Sequence, residues 1–322
     1  MSRRTVLAIP LTPIAGARFQ PTGFPDLGPA QYLAPGPTPA DDWVPALHVE
    51  SPQSMANRLE LTTWDLGAQD QVADLAGLPY VRVVAPDGSF LTSSRLEAHR
   101  LASAYVMDGD IDGEPGRNVL RSRLDLAEGR AMDHRGIARQ ICALDPLSLI
   151  HGVFFAQKPW PWQPKIARAI TCFIDAVDVQ QAVSGGVKTD SVNPRVDAEG
   201  GSGRGTAEGY GMVPHQRVEF TARQITAHVV VDLDQIRSYG LGPTGEELLT
   251  ALIDYELAAL FRAGSLRLRT ACDLVADEAH PALEQIPTPE AAAERVRSAI
   301  GAAADLLGPV TEVVWARAKV KA

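Results

Sequence analysis

The chain has 322 residues, 45% of them hydrophobic and 21% charged, enough material for one large globular domain or two smaller ones. Its formal net charge is −9, so it lacks the basic balance of a generic nucleic-acid binder, although binding depends on the local patch. No apolar run approaches the ~20 residues of a membrane span, and the three cysteines, Cys142, Cys172 and Cys272, are too scattered for a disulfide framework or a metal pair.

Val6 to Leu11 reads as a first short strand. The apolar run around it is broken by Pro10 and Pro13, too early for a signal-peptide core, and a reducing, cytoplasmic setting is expected. Gly16 to Pro45 is dense in Pro and Gly and reads as an ordered loop without regular structure, pinned by Phe19, Phe24, Tyr32 and Trp43. Ala46 to Val49 is a strand. Ser51 then caps a helix from Pro52, which needs no N–H donor at its first position, to about Leu66. Tyr80 to Val84 is a strand by β-branched content, with a turn at Pro86-Asp87-Gly88. Ser94 and Glu97 have capping-box spacing, predicting a helix over Arg95 to Met107. Asp108 to Glu114 resembles half of a calcium loop, but Val119 stands where the twelfth-position glutamate belongs.

Ile137 to Leu144 is helical and Asp145-Pro146 ends it. Leu147 to Phe155 is the strongest apolar run and reads as a central strand. Ile166 to Val179 fits a continuation of the sheet, although its first residues suit a helix equally well. Val183 to Gly211 carries little apolar content and reads as a long loop; such loops in compact domains tend to be functional or disordered. Ile225 to Leu233 alternates as a strand. Thr244 and Glu247 suggest a capping box for a helix to about Ala263, Leu266 to Leu274 a strand, Thr288-Pro289 a helix start, and Val310 to Val320 the last strand. Alternating strands and helices point to a layered α/β or α+β sandwich.

Two stretches are polar beyond what packing requires: Ser51-Pro52-Gln53-Ser54-Met55-Ala56-Asn57-Arg58-Leu59-Glu60 and Ser93-Ser94-Arg95-Leu96-Glu97-Ala98-His99-Arg100. In the first, Met55, Ala56 and Leu59 make an apolar stripe, and Gln53, Asn57 and Arg58 lie largely off it. Such groups form directional hydrogen bonds, and arginine can grip a phosphate through two donors. The bland alternative is two surface helices whose arginines pair with Glu60, Glu97 or Asp190. The Gly-rich segment is not a Walker loop, since the glycine pattern required before Lys188 is absent. The seven histidines show no i, i+4 pair for metal binding. His99 beside Arg100 is the one pair a ribonuclease could use, and no complete acid–base set accompanies it. No catalytic residue, metal or cofactor is expected.

Phe19 to Gly28, the two polar stretches, and Leu144-Asp145-Pro146 with His151-Gly152 followed by Lys165-Ile166-Ala167-Arg168-Ala169 occur in that order. Together they resemble the RAMP-superfamily backbone subunit, of Cas-seven type, of type I-G (formerly I-U) CRISPR surveillance complexes. The match runs over about residues 5 to 235 by motif, although Gly-Gly-Val-Lys-Thr-Asp departs from the expected Gly-Gly-Arg-Arg-Asp-like pattern. The resemblance implies an α+β fold: a single RRM-like (ferredoxin-like) domain over 1–322 with large insertions, and a thumb-like loop or hairpin within 183–211. It implies a non-catalytic subunit whose partners are CRISPR RNA, target DNA through the guide, copies of itself, other subunits of the complex and an effector nuclease-helicase, with no membrane. Guide sequences vary, so phosphate and 2′-OH contacts are favoured over base readout. On this reading Arg58, Arg95, Arg100, Lys165, Arg168 and Lys188 hold phosphates, Gln53 and Asn57 bond the backbone or sugar, and His99 and Arg195 complete the RNA-binding set. Two alternatives stay open: a RAMP-type CRISPR RNA-processing ribonuclease, and an unrelated small-molecule enzyme with a Gly-rich lid.

Overall fold

Strand β1 (Arg4–Pro13) alternates as its sequence predicts: Leu7, Ile9 and Leu11 are buried, while Val6 and Ala8 face outward. The computed structural model describes residues 3–24, 27–36, 38, 40–188 and 213–316. Among these, the Pro- and Gly-rich stretch is more regular than expected. It holds a short ladder pairing Gly23–Phe24 with Gly28–Pro29, and an edge strand, β2 (Gln31–Ala34). Phe19 is buried and Trp43 is exposed, so Trp43 does not pin this stretch, while Tyr32 is exposed but reaches Asp175 through its hydroxyl.

Strand β3 (Val44–Glu50) leads into helix α1 (Pro52–Leu61), which ends short of Leu66. β4 (Val81–Val84) and β5 (Phe90–Ser93) form a hairpin. The helix expected over Arg95 to Met107 is instead a chain of tight turns, with a 3-10 turn at Arg100–Ala102 and one helical turn at Ala104–Met107. Its apparent capping box is used otherwise. The Ser94 hydroxyl donates to Asp145, and Glu97 accepts from the Thr92 and Ser103 hydroxyls. The calcium-loop fragment is a hairpin of β6 (Asp110–Ile111) and β7 (Glu114–Pro115), with Asp110 capping the turn at Gly113 and Asp108 paired with Arg117.

Helix α2 (His134–Leu144) ends at Asp145. The run read as a central strand is helix α3 (Leu147–His151), buried along its whole length. A long apolar run does not by itself separate a buried strand from a buried helix. Gly152, at φ 83, then turns the chain into a small ladder of β8 (Val153–Phe154) and β9 (Lys165–Ile166). A Cβ at Gly152 would lie 2.9 Å from the Ile166 carbonyl oxygen, so only glycine lets these segments approach.

The dominant feature is the hairpin of β10 (Ile170–Lys188) and β11 (Val213–Asp232). Its inner half is buried on one face. From Gln180 to Lys188 it is mostly exposed, a projection of ~30 Å at about 3.3 Å per residue. The part of the expected loop from Val183 to Lys188 is therefore strand, and the rest, including Arg195, lies outside the described residues. Helix α4 (Gly242–Phe261) is buried almost all round. Thr244 does not cap it; it lies inside the first turn, after Leu241. β12 (Leu266–Arg269) and β13 (Cys272–Ala276) split the expected single strand, α5 (Pro289–Ala302) starts at Thr288 as predicted, and β14 (Thr311–Val314) is shorter than predicted within the described residues.

The fold is mixed α+β. The main seven-stranded sheet has the order β12-β13-β1-β11-β10-β3-β2, with antiparallel neighbours. A second sheet, β7-β6-β14-β4-β5, is antiparallel except for β14 beside β4. The inward side chains Leu7, Ile9, Cys172, Ile174, Ala227 and Val229 join the core with those of α4. No helix among the described residues is long and apolar enough to cross a membrane.

Candidate functional site

Helix α1 begins where Ser51 Oγ accepts the Ser54 amide at 3.2 Å, with Pro52 in the first turn. Its stripe of Met55, Ala56 and Leu59 is buried, and so is Glu60. A buried carboxylate must be paired, and Arg100 supplies the partner. Its Nε and Nη2 donate to the two Glu60 oxygens, each at 2.6 Å, and its Nη1 donates to the Gly152 carbonyl at 3.1 Å. Arg100 takes a left-handed backbone, φ 50, to point inward. Beside it, His151 is fully buried with Nε2 at 2.9 and 3.0 Å from the Glu256 oxygens. Burial pushes the His151 pKa down, but Glu256 and Glu60 outweigh it and hold the pKa above the ordinary histidine value.

Arg100 and His151 line the floor of an open cleft of about 610 Å³, walled by Gln53 of α1, His99, Phe154 of β8, Lys165 of β9 and Arg168. Lys165 is exposed, with its ammonium 5.9 Å from the centre of the Phe154 ring. Arg168 is half-buried and donates to the Gln53 carbonyl oxygen. Burial and the Arg100 guanidinium push Arg168 below the ordinary arginine value, with Glu60 opposing, and it stays charged. His99 sits exposed on the rim. The floor is neutralised within itself, so the charge offered to a ligand comes from Lys165 and Arg168. Such a surface suits phosphate and sugar groups of any sequence.

Five of the ten residues expected to bind RNA therefore converge on one cleft: Gln53, His99, Arg100, Lys165 and Arg168. Arg100 is there as a structural member, held by Glu60. Arg195 lies outside the described residues, and the other four lie elsewhere. Arg58 donates to the carbonyls of Arg267 at 3.2 Å and Leu268 at 2.5 Å, tying α1 to β12, and lies 3.8 Å from buried Glu50. Arg95 is fully buried, 3.8 Å from Asp145, and donates to the Pro79 carbonyl at 3.2 Å. For both, the sequence reading is corrected: their guanidinium groups are committed inside the fold. Asn57 is exposed but does not line the cleft. Lys188 is exposed at the end of the described part of the projecting hairpin.

Sequence reasoning missed His151 and Glu256 as a pair, and Phe154 and Thr171 as lining residues. The only signal was His151-Gly152 itself, a polar residue and a glycine interrupting the most apolar run.

The model of one protein family, described as CRISPR-associated protein GSU0053, matches residues 6–181, more than half of the chain. No curated protein matches. Among solved structures, a chain of a "CRISPR RNA-guided surveillance complex, pre-nicking" aligns with a TM-score of 0.34 at 11% identity, covering 79% of this chain and 70% of that one.

Proposed function

The chain belongs to the family of CRISPR-associated protein GSU0053, and from that premise we propose that it is a non-catalytic, RNA-binding backbone subunit of a type I-G surveillance complex. Copies of the chain lie side by side along one CRISPR RNA in the cytoplasm. They present the guide to target DNA and assemble with the other subunits and an effector nuclease-helicase. One observation carries the reading. Segments far apart in sequence bring Gln53, His99, Lys165 and Arg168 to a single open cleft, where among the described residues no carboxylate is salt-bridged to Lys165 or Arg168, while the buried Arg95 and Arg100 are paired.

An RRM-like core over 1–322 is part of this proposal. It is supported by the strand order β13-β1-β11-β10, which in chain order is fourth, first, third, second. The second and third strands form a hairpin, and α4 lies between the third and fourth, as in a split βαβ arrangement. The projecting half of β10 and β11 is the candidate thumb.

Purification from cells tests the reading. Bound RNA, seen as a raised 260/280 absorbance ratio, and a large assembly on sizing are expected; a nucleic-acid-free monomer would count against it. Labelled repeat RNA should stay intact with the purified protein. Specific metal-independent cutting that disappears in His99→Ala would instead favour a processing ribonuclease.

A further inference from the structure

The main sheet has one face in the core and one facing out. The outward face bears a cluster that the cleft does not explain. Across three adjacent strands, Ala8, His228 and Phe173 stand in one row. The Phe173 and His228 rings are stacked, centroids 5.0 Å apart and 25° between planes, and His48 sits 6.2 Å from Phe173. The neighbouring row is Val6, Val230 and Thr171. Ala8 and Val6 are exposed, and Phe173, His228, Val230 and Thr171 are partly so. On the opposite flank His48 Nδ1 donates to Asp175 at 2.6 Å. The Tyr32 hydroxyl bonds the same carboxylate, and burial together with Asp175 raises its pKa to about 12. Asp175 thus fixes the edge of the platform.

A stacked pair of rings with Val6 and Val230 beside it and no side chain larger than Ala8 at one end offers a surface for another planar ring. Thr171 belongs both to this face and to the cation-lined cleft, so the two surfaces are continuous. A ligand with phosphates in the cleft would therefore carry its next groups onto the rings. From this continuity we infer that the outward sheet face is a second, base-stacking subsite, on which Phe173 and His228 take an unpaired nucleobase of the strand whose phosphates lie near Lys165 and Arg168. The inference rests on the RNA-binding reading above. It adds to it a contact that does not depend on charge and is indifferent to base identity, since every base has a π-face.

Binding of a single-stranded oligouridylate, and of the same backbone with abasic sites in place of the bases, separates the two claims. The protein is first stripped of co-purified nucleic acid, and salt is varied. Wild type should bind the base-bearing strand about 5- to 150-fold more tightly than the abasic one, the range for one base stacked on an aromatic side chain. Phe173→Leu, which keeps an apolar side chain of similar bulk, should bring the base-bearing strand down towards the abasic level without changing the salt slope. Phe173→Trp should restore the difference. Equal binding of the two strands by wild type, or undiminished binding by a folded Phe173→Leu protein, would overturn the stacking subsite and leave the RNA-binding reading standing. Failure of wild type to bind either strand would overturn both.

Discussion

Replacing Arg100 with methionine tests whether this arginine serves the fold or the ligand. Its side chain is 7% exposed and that of Glu60 5%. Both guanidinium contacts to Glu60 are 2.6 Å, and a third bond reaches the Gly152 carbonyl. Methionine fills much of the space but leaves the Glu60 carboxylate uncompensated in the interior. Breaking a buried pair from one side costs about 3–5 kcal/mol. At the few degrees per kcal/mol typical of large domains this lowers Tm by about 5–15 °C. Urea denaturation gives the free energy and a thermal melt the midpoint. The Glu60→Met/Arg100→Met double variant removes both charges and should recover most of the loss, because an apolar pair of similar volume is often neutral relative to a buried ion pair. A single variant within 1 kcal/mol of wild type, combined with a reduced salt slope for RNA, would refute the reasoning and return Arg100 to the phosphate-binding set.

Two further outcomes follow from the cleft floor. The His151 pKa lies above its ordinary value of 6.5, so the stability this residue contributes is complete below that value and is lost as pH rises through the folded-state pKa. The wild-type melting point should therefore fall over that window more than that of His151→Gln, and parallel curves would contradict the assignment. Gly152→Ala would put a Cβ 2.9 Å from the Ile166 carbonyl oxygen at φ 83, costing at least the ~1–2 kcal/mol of a left-handed residue with a side chain. An unchanged urea midpoint would show that the turn relaxes freely.

Where a strand has one buried face, the sequence displays it. The alternation in Val6 to Leu11 and Ile225 to Leu233 reads directly, and Ser51-Pro52 marks the start of α1. The same rule explains the failure over Val183 to Lys188. The outer half of β10 pairs with its partner strand but buries neither face, so no alternation records it. Leu147 to Phe155 failed for the opposite reason: α3 is buried all round, and the helical period vanishes. For the site, the density of polar groups marked the right stretches but not the direction of each side chain. Arg95 and Arg100 turn inward toward buried Asp145 and Glu60, which need them, and Arg58 toward the carbonyls of Arg267 and Leu268. Nothing local announces such pairings between distant positions. Lys165, Arg168 and Gln53 do reach the cleft, and among the described residues no buried carboxylate is salt-bridged to either cation.

On the proposed reading the cleft holds an RNA backbone without regard to sequence. The most direct test measures affinity over a range of salt for wild type and for Lys165→Ala/Arg168→Ala, on two single-stranded RNAs of unrelated sequence. Each lost phosphate contact should reduce the magnitude of the slope of log K against log salt by about 0.7. The double variant should therefore lose about 1.4 on both RNAs, with its melting point little changed because neither side chain is committed to a buried partner. A slope equal to wild type, or weakening confined to one of the two RNAs, would contradict the account.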